Sequence, residues 1–245
     1  MQKTAIFLFF ILMIIGCAKP SQCIESTGVI INKDFEVSNF DKIKVFRGIS
    51  LVISQGNIQK ITVQTGENLM SDIDVKVEDN ILILKDNTTC NWVRDYGQTT
   101  VFVTTSTLTD VICKTEKTIS SNGILTFPIL RLNSIDLTEG GGVGDFNFQI
   151  DNSQLVIESN NASNFYISGK TSDFLANFYE GNGRIESANL LAKNINVFHR
   201  GSNDMILNPL IKMTGKIFST GDVICKNPNV INEVIALFQG RVIFN

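Results

Sequence analysis

Few side chains in this sequence have real chemical scope. There is one histidine, His199, and there are five cysteines, Cys17, Cys23, Cys90, Cys113 and Cys225. No Cys-x-x-Cys occurs, and the cysteine spacings match no zinc finger or ribbon. His199 could serve as a general base beside Glu180 or Asp204. It has no second histidine, no Gly-x-Ser-x-Gly elbow and no nucleophile with a local signature, so an imidazole bonded to backbone at a strand end is the simpler reading. No catalytic residue, metal ligand or cofactor is therefore expected.

Cys17 is different because of what precedes it. Lys3 is followed by an apolar run from Ala5 to Ile15 and then by Gly16-Cys17. As a helix this run would span only about 16 Å, short of the roughly 30 Å hydrocarbon core, so it reads as a secretory signal. Ile14-Ile15-Gly16-Cys17 also resembles the bacterial lipobox, in which the cysteine is lipidated and becomes the mature N-terminus. Residues 1–16 are then the signal, and Cys17 with residues up to 38 is an anchored tether leading to the fold. Ala18 after the cysteine, rather than Asp, favours the outer membrane, facing either the periplasm or the cell surface. An exported compartment permits disulfides, and Cys23, Cys90, Cys113 and Cys225 allow three pairings; buried free thiols are the alternative.

Trp92, Arg94 and Tyr96 form the best candidate binding surface. In an extended segment they share one face with Cys90, and an aromatic–guanidinium–aromatic surface can stack on sugar rings or on the apolar edge of a protein. The bland alternative is a plug closing one end of the core.

A third group recurs. Asp145, Asn164, Arg184, Asp204 and Asp222 are separated by 19, 20, 20 and 18 residues. Stacked oxygens could bind calcium or sugar. Arg184 inside the column argues against a cation, and Asx residues at turns bond their own backbone, so scaffold is the favoured reading.

The elements that must position these residues are strands. Ile43 and Val45, Ile49, Leu51 and Ile53, and Ile61 and Val63 alternate with polar neighbours, and Asp72 to Val77 alternates strictly. Beyond the signal no helical amphipathicity stands out. After about residue 110, each repeat carries a turn-prone tetrad, a short strand, a second turn and a second strand such as Leu155-Val156-Ile157, Phe174-Leu175-Ala176 or Ile195-Asn196-Val197. Such a unit cannot bury its apolar face alone, but units stacked about 4.8 Å apart can. The expectation from the period is an all-β fold, a β-helix or β-solenoid with rungs of about 20 residues. Its body runs over 39–245, divided into an N-terminal β part (39–109), a repeat part (110–226) and a C-terminal cap (227–245).

Phe40-Asp41-Lys42-Ile43, Ser54-Gln55-Gly56, Glu67-Asn68-Leu69 and the turns Gly142-Val143-Gly144-Asp145 and Ser219-Thr220-Gly221-Asp222 carry a resemblance to a Bacteroidetes family, the putative auto-transporter adhesin, head GIN domain. The turns at Asn161-Ala162-Ser163-Asn164, Gly181-Asn182-Gly183-Arg184 and Gly201-Ser202-Asn203-Asp204 depart from that pattern. The resemblance covers about residues 40 to 226 and implies a right-handed β-helical fold, in one body or in two differently oriented parts, in a lipoprotein context.

Composition narrows the partners. A net charge of −3 with 18% charged residues offers no basic field, so nucleic acid is not expected. The reading that results is a membrane-anchored, non-catalytic envelope module binding a glycan or an envelope or host protein. The alternatives are a β-helical polysaccharide lyase or hydrolase, and a purely structural or regulatory envelope protein.

Overall fold

The computed structural model describes residues 26–88, 99–136 and 141–245. Cys17, Cys23, Cys90, Trp92, Arg94 and Tyr96 lie outside these residues. The described chain is a β-solenoid with one short 3-10 helix, Glu67–Asp72.

Two walls of parallel strands enclose the core. The first wall contains β2 (Lys42–Phe46), β6 (Ile81–Asp86), β8 (Asp110–Lys114), β10 (Ile129–Ser134), the second halves of β11 (Phe146–Ser159) and β12 (Asn164–Phe178), then β14 (Leu190–His199), β16 (Pro209–Ile217) and β18 (Ile231–Ala236). The second wall contains β3 (Ile49–Gln55), β7 (Thr99–Thr105), β9 (Ile119–Leu125), the first halves of β11 and β12, β13 (Arg184–Glu186), β15 (Met205–Leu207), β17 (Val223–Cys225) and β19 (Val242–Phe244).

The register shows why the sequence period works. Leu155 lies beside Phe174, Phe174 beside Ile195, and Ile195 beside Met213. Phe146, Phe165, Ile185, Met205 and Val223 stack in the same way on the second wall. All of these point inward and are nearly fully buried. Phe146 and Phe165 stack with ring centroids 4.7 Å apart at 12°, so one rung's aromatic is the floor of the next. Each such side chain contributes about 1.5–3 kcal/mol by leaving water.

The order of turns near the N-terminus does not follow the chain. β2 lies between β6 and β8, with Ile43 paired to both Leu82 and Val111. β3 lies between β7 and β9, with Leu51 paired to both Val101 and Ile119. The turn formed last of the first two therefore sits outermost. Beyond it the strands become antiparallel: β5 (Ile73–Glu78) pairs with β6, β4 (Lys60–Gly66) with β7, and β1 (Ile30–Phe35) with β4. The strands of 42–105 thus continue the same stack as the repeat. At the other end, β18 and β19 add a further turn over β16 and β17.

Candidate functional site

The recurring turn residues form a ladder along one edge of the second wall. The Asp145 carboxylate accepts hydrogen bonds from the Asn164 backbone N–H at 3.3 Å and side-chain amide at 3.0 Å. Asp204 accepts from the backbone N–H of Asp222 at 3.2 Å, and Asp222 from that of Arg241 at 2.8 Å. Arg184 fills the step between them, reaching Asp204 at 3.1 Å and bonding Glu186. Asp145, Asp204 and Asp222 thus each satisfy a backbone N–H of the next rung, while Arg184 joins side chains, so the column bonds rung to rung as a scaffold does. Among the described residues, no group of three or more His, Cys, Asp or Glu is arranged to hold a metal ion.

The neighbouring corner holds a buried polar network. Asn161 donates from Nδ2 to the Gly142 carbonyl at 2.7 Å, to Ser134 Oγ at 2.9 Å and to Asp136 Oδ1 at 3.0 Å. Its Oδ1 accepts from the Ser163 N–H at 3.0 Å and from Ser159 Oγ at 3.2 Å. Ser134, Ser159 and Ser163 are fully buried. These groups replace apolar filling where successive corners meet.

His199 is also interior. It is fully buried at the end of β14, edge-on to Phe178, and its Nδ1 accepts from the Gly201 N–H at 3.3 Å. Nε2 therefore carries the proton. Burial holds the imidazole below its ordinary value, opposed by the Asn203 backbone and by the carboxylates of Asp204 and Asp222. Its contacts among the described residues include a backbone N–H and an aromatic ring, the surroundings of an imidazole packed at a strand end. Cys113 and Cys225 are buried free thiols, and burial pushes both thiols up. They do not occupy equivalent positions: Cys113 is on β8 of the first wall and Cys225 on β17 of the second.

The surface with binding geometry is one that sequence reasoning missed. An open groove of about 420 Å³ runs across β11, β12, β14 and β16 on the outer face of the first wall. Its floor includes Leu175. In the strand register Leu175 adjoins Val156, an outward-pointing side chain that is only 7% exposed. Gln154, Asp173, Asn194 and Lys212 follow one another along one row of the register, and Asn196 and Thr214 along the next. Asn194 donates to Asp173 at 3.0 Å and Asn196 to Thr214 Oγ1 at 2.9 Å. The exposed rim therefore presents amides, a carboxylate and an ammonium, pre-set at rung spacing over an aliphatic floor. That chemistry suits a hydroxyl-rich ligand, since amide and carboxylate groups can each pair with neighbouring hydroxyls. These residues are not periodic in type, which is why the repeat did not reveal them.

A larger concavity of about 550 Å³ lies by β1 and β4. There the Gln59 amide is already donated to the Val37 and Ser38 carbonyls. Trp92, Arg94 and Tyr96 belong to the link between β6 and β7 and are outside the described residues.

Fold and surface together define a β-solenoid whose repeated polar residues join rungs and whose outer face carries an open groove. The chain belongs to the family described as putative auto-transporter adhesin, head GIN domain, which matches residues 39–228. Among solved structures, it is similar to a putative adhesin from Bacteroides fragilis, at 20% identity and a TM-score of 0.79 over 90% of this chain and 100% of that one. A putative adhesin from Parabacteroides merdae is 17% identical, with a TM-score of 0.61 over 90% and 98% of the two chains. A protein from Parabacteroides distasonis described as a putative lipid binding protein is 14% identical, with a TM-score of 0.62 over 89% and 99%. These likenesses establish the shared fold. No curated protein matches the sequence.

Proposed function

We propose that the chain is a cell-envelope lipoprotein, held to the outer membrane by a lipid on Cys17, that acts as a non-catalytic binding module for a glycan. The observation that carries the ligand class is the groove over Leu175, with Asp173–Asn194 and Asn196–Thr214 bonded in place beside it. Groups already fixed by neighbours lose little freedom when a sugar binds. The adhesin family membership and the lipobox support the envelope placement. The word lipid attached to the Parabacteroides distasonis neighbour is a poorer match here, because the rim of this groove is amide and charge.

The test is titration of the purified protein with bacterial and host glycans. Saturable binding without depolymerisation, weakened about tenfold or more by Asn194→Ala with Asn196→Ala, is the expected result. Chain cleavage of a glycan overturns the non-catalytic reading. Binding untouched by the groove pair but abolished by Trp92→Ala, with unchanged melting, moves the site to Trp92, Arg94 and Tyr96. Loss of membrane association in Cys17→Ala tests the anchor, and protease access on intact cells separates the periplasmic from the surface orientation.

A further inference from the structure

The two ends of the solenoid are finished in opposite ways. At the N-terminal end the outermost edges belong to antiparallel strands that carry charge, Lys33 and Asp34 on β1 and Asp74, Lys76 and Glu78 on β5. Charged edge strands resist pairing with another chain. At the C-terminal end, β18 pairs only with β16 and β19 only with β17 among the described residues. The sequences there are Ile231-Asn232-Glu233-Val234-Ile235-Ala236 and Val242-Ile243-Phe244, and the single charge, Glu233, is paired with Lys212 at 2.7 Å. Ile235, Leu237 and Phe238 are 54%, 55% and 62% exposed, and Phe244, whose neighbour Cys225 points into the core, is 45% exposed. Together with Ile231, these side chains leave about 500 Å² of apolar surface on the last turn, judged against roughly 150–250 Å² for a whole large side chain. With the backbone edge added, this approaches the roughly 800 Å² per partner of a standard interface.

We propose that this end pairs with the same end of a second copy, giving a closed two-fold dimer with β18 antiparallel to its counterpart. Because the edge strands described at the opposite end carry charge, head-to-tail pairing is disfavoured and the isologous contact is the one proposed. The register follows from the backbone. The Leu237 N–H bonds the Ile217 carbonyl, so odd-numbered residues of β18 face β16 and even-numbered ones face the bare edge. The Val234 N–H is met only by its own chain's Asn232 side chain, at 3.2 Å, a bond the amide can release. Setting Val234 opposite Val234 of the second copy pairs Asn232 with Ala236 in both directions. Every edge N–H and C=O of these three residues is then used. The same register sets Glu233 opposite Ile235 and avoids the Glu233–Glu233 contact of the register next to it.

Sedimentation velocity of the protein at micromolar to about 100 μM concentrations tests this, with two substitutions at one residue. Ile235→Glu places a carboxylate beside Lys216 within its own chain, where Ile235 is in register with it, and opposite Glu233 of the second copy. Ile235→Lys removes the same apolar side chain but faces that glutamate with an opposite charge. The expected result is a wild-type dimer, at least about tenfold weaker dimerisation in Ile235→Glu, and a dimer retained in Ile235→Lys. Far-UV circular dichroism establishes that each variant is folded. A wild-type monomer across the range, species growing beyond the dimer, or equal behaviour of the two variants overturns the proposal.

Discussion

Replacing Asn161 by Ala tests the polar corner where the family's glycine-rich turn pattern is most altered. The substitution removes three donated bonds, to Gly142, Ser134 and Asp136, and the acceptor for the Ser163 N–H. The losses are unequal. The Gly142 carbonyl keeps the Ser134 hydroxyl at 3.0 Å, and Ser134 keeps Ser163 Oγ at 2.7 Å, so those groups remain satisfied. The Ser163 N–H is left buried and unpaired, which costs about 1–3 kcal/mol, and the other lost bonds contribute about 0.5–1.5 kcal/mol each. The total is at least about 3 kcal/mol, worth a fall in melting temperature of at least about 6 °C for a chain of this size. Differential scanning calorimetry reads it directly. A fall below about 3 °C would show that the corner is held by backbone ladders alone and would refute the role given to the Asn161 amide. The glycan binding proposed for the outer-face groove should be unchanged in the folded variant.

Two glycines with left-handed backbone separate conformational strain from crowding: Gly123 has φ +88° with open space where a Cβ would sit, whereas Gly215 has φ +123° and its Cβ would collide with the Val197 carbonyl. Gly123→Ala should cost about 1–2 kcal/mol, and Gly215→Ala more than about 3 kcal/mol, or folding altogether; similar denaturation midpoints for the two would count against the strand register at β16. His199 should make stability fall in mild acid. Its imidazole is held below the ordinary 6.5, so the unfolded chain takes up the proton first, and stability is complete above pH 6.5 and is lost as pH drops below it toward the folded value. Between about pH 7.5 and pH 5, the wild-type melting temperature should therefore drop further than that of His199→Gln; parallel curves for the two proteins would sink this account. Asp204→Ala should lower stability by about 1–2 kcal/mol through the lost bonds to Asp222 and Arg184, with no change on adding calcium; a calcium-dependent rise in wild-type melting temperature alone would restore the cation reading.

How much of this was legible beforehand differs by element. The spacing of Asp145, Asn164, Arg184, Asp204 and Asp222 marked rungs, and the strand register aligns Asn164 with Arg184 and Ile185 with Met205 as that spacing requires. The reason is that a ladder residue must meet its equivalent on the next rung, so the constraint is written at a fixed interval. The placement of β2 and β3 inside the turn made by β6 and β7 left no such mark. Ile43-Lys44-Val45 alternates in the same way whether its neighbours are residues 81–84 or 110–114, because period-two alternation encodes which face is buried and not which strand lies alongside. The antiparallel pairing of β4 and β5 left no mark for the same reason, whereas β1 (Ile30–Phe35) lies within the stretch up to residue 38 read as a tether and is instead a strand paired with β4. The groove was invisible because Asn194 and Asn196 are what any exposed strand face looks like, and nothing in their type marks a concavity.

That contrast separates scaffold from specificity in this solenoid. Residues that recur do so because each rung makes the same demand of the next, as at Asp204 and Asp222, so changing them should move the melting temperature and leave ligand choice alone. Residues on the outer face meet no such demand. Gln154, Asp173, Asn194 and Lys212 occupy one register row yet differ in charge and in donor pattern from rung to rung. An extended ligand laid across the rungs would meet that sequence of groups at intervals of about 4.8 Å, the strand spacing. Reading an elongated, chemically varied partner is a task such a row can do and a repeated column cannot. Under the proposed glycan binding, recognition belongs where the period breaks down, and rung-to-rung cohesion where it holds.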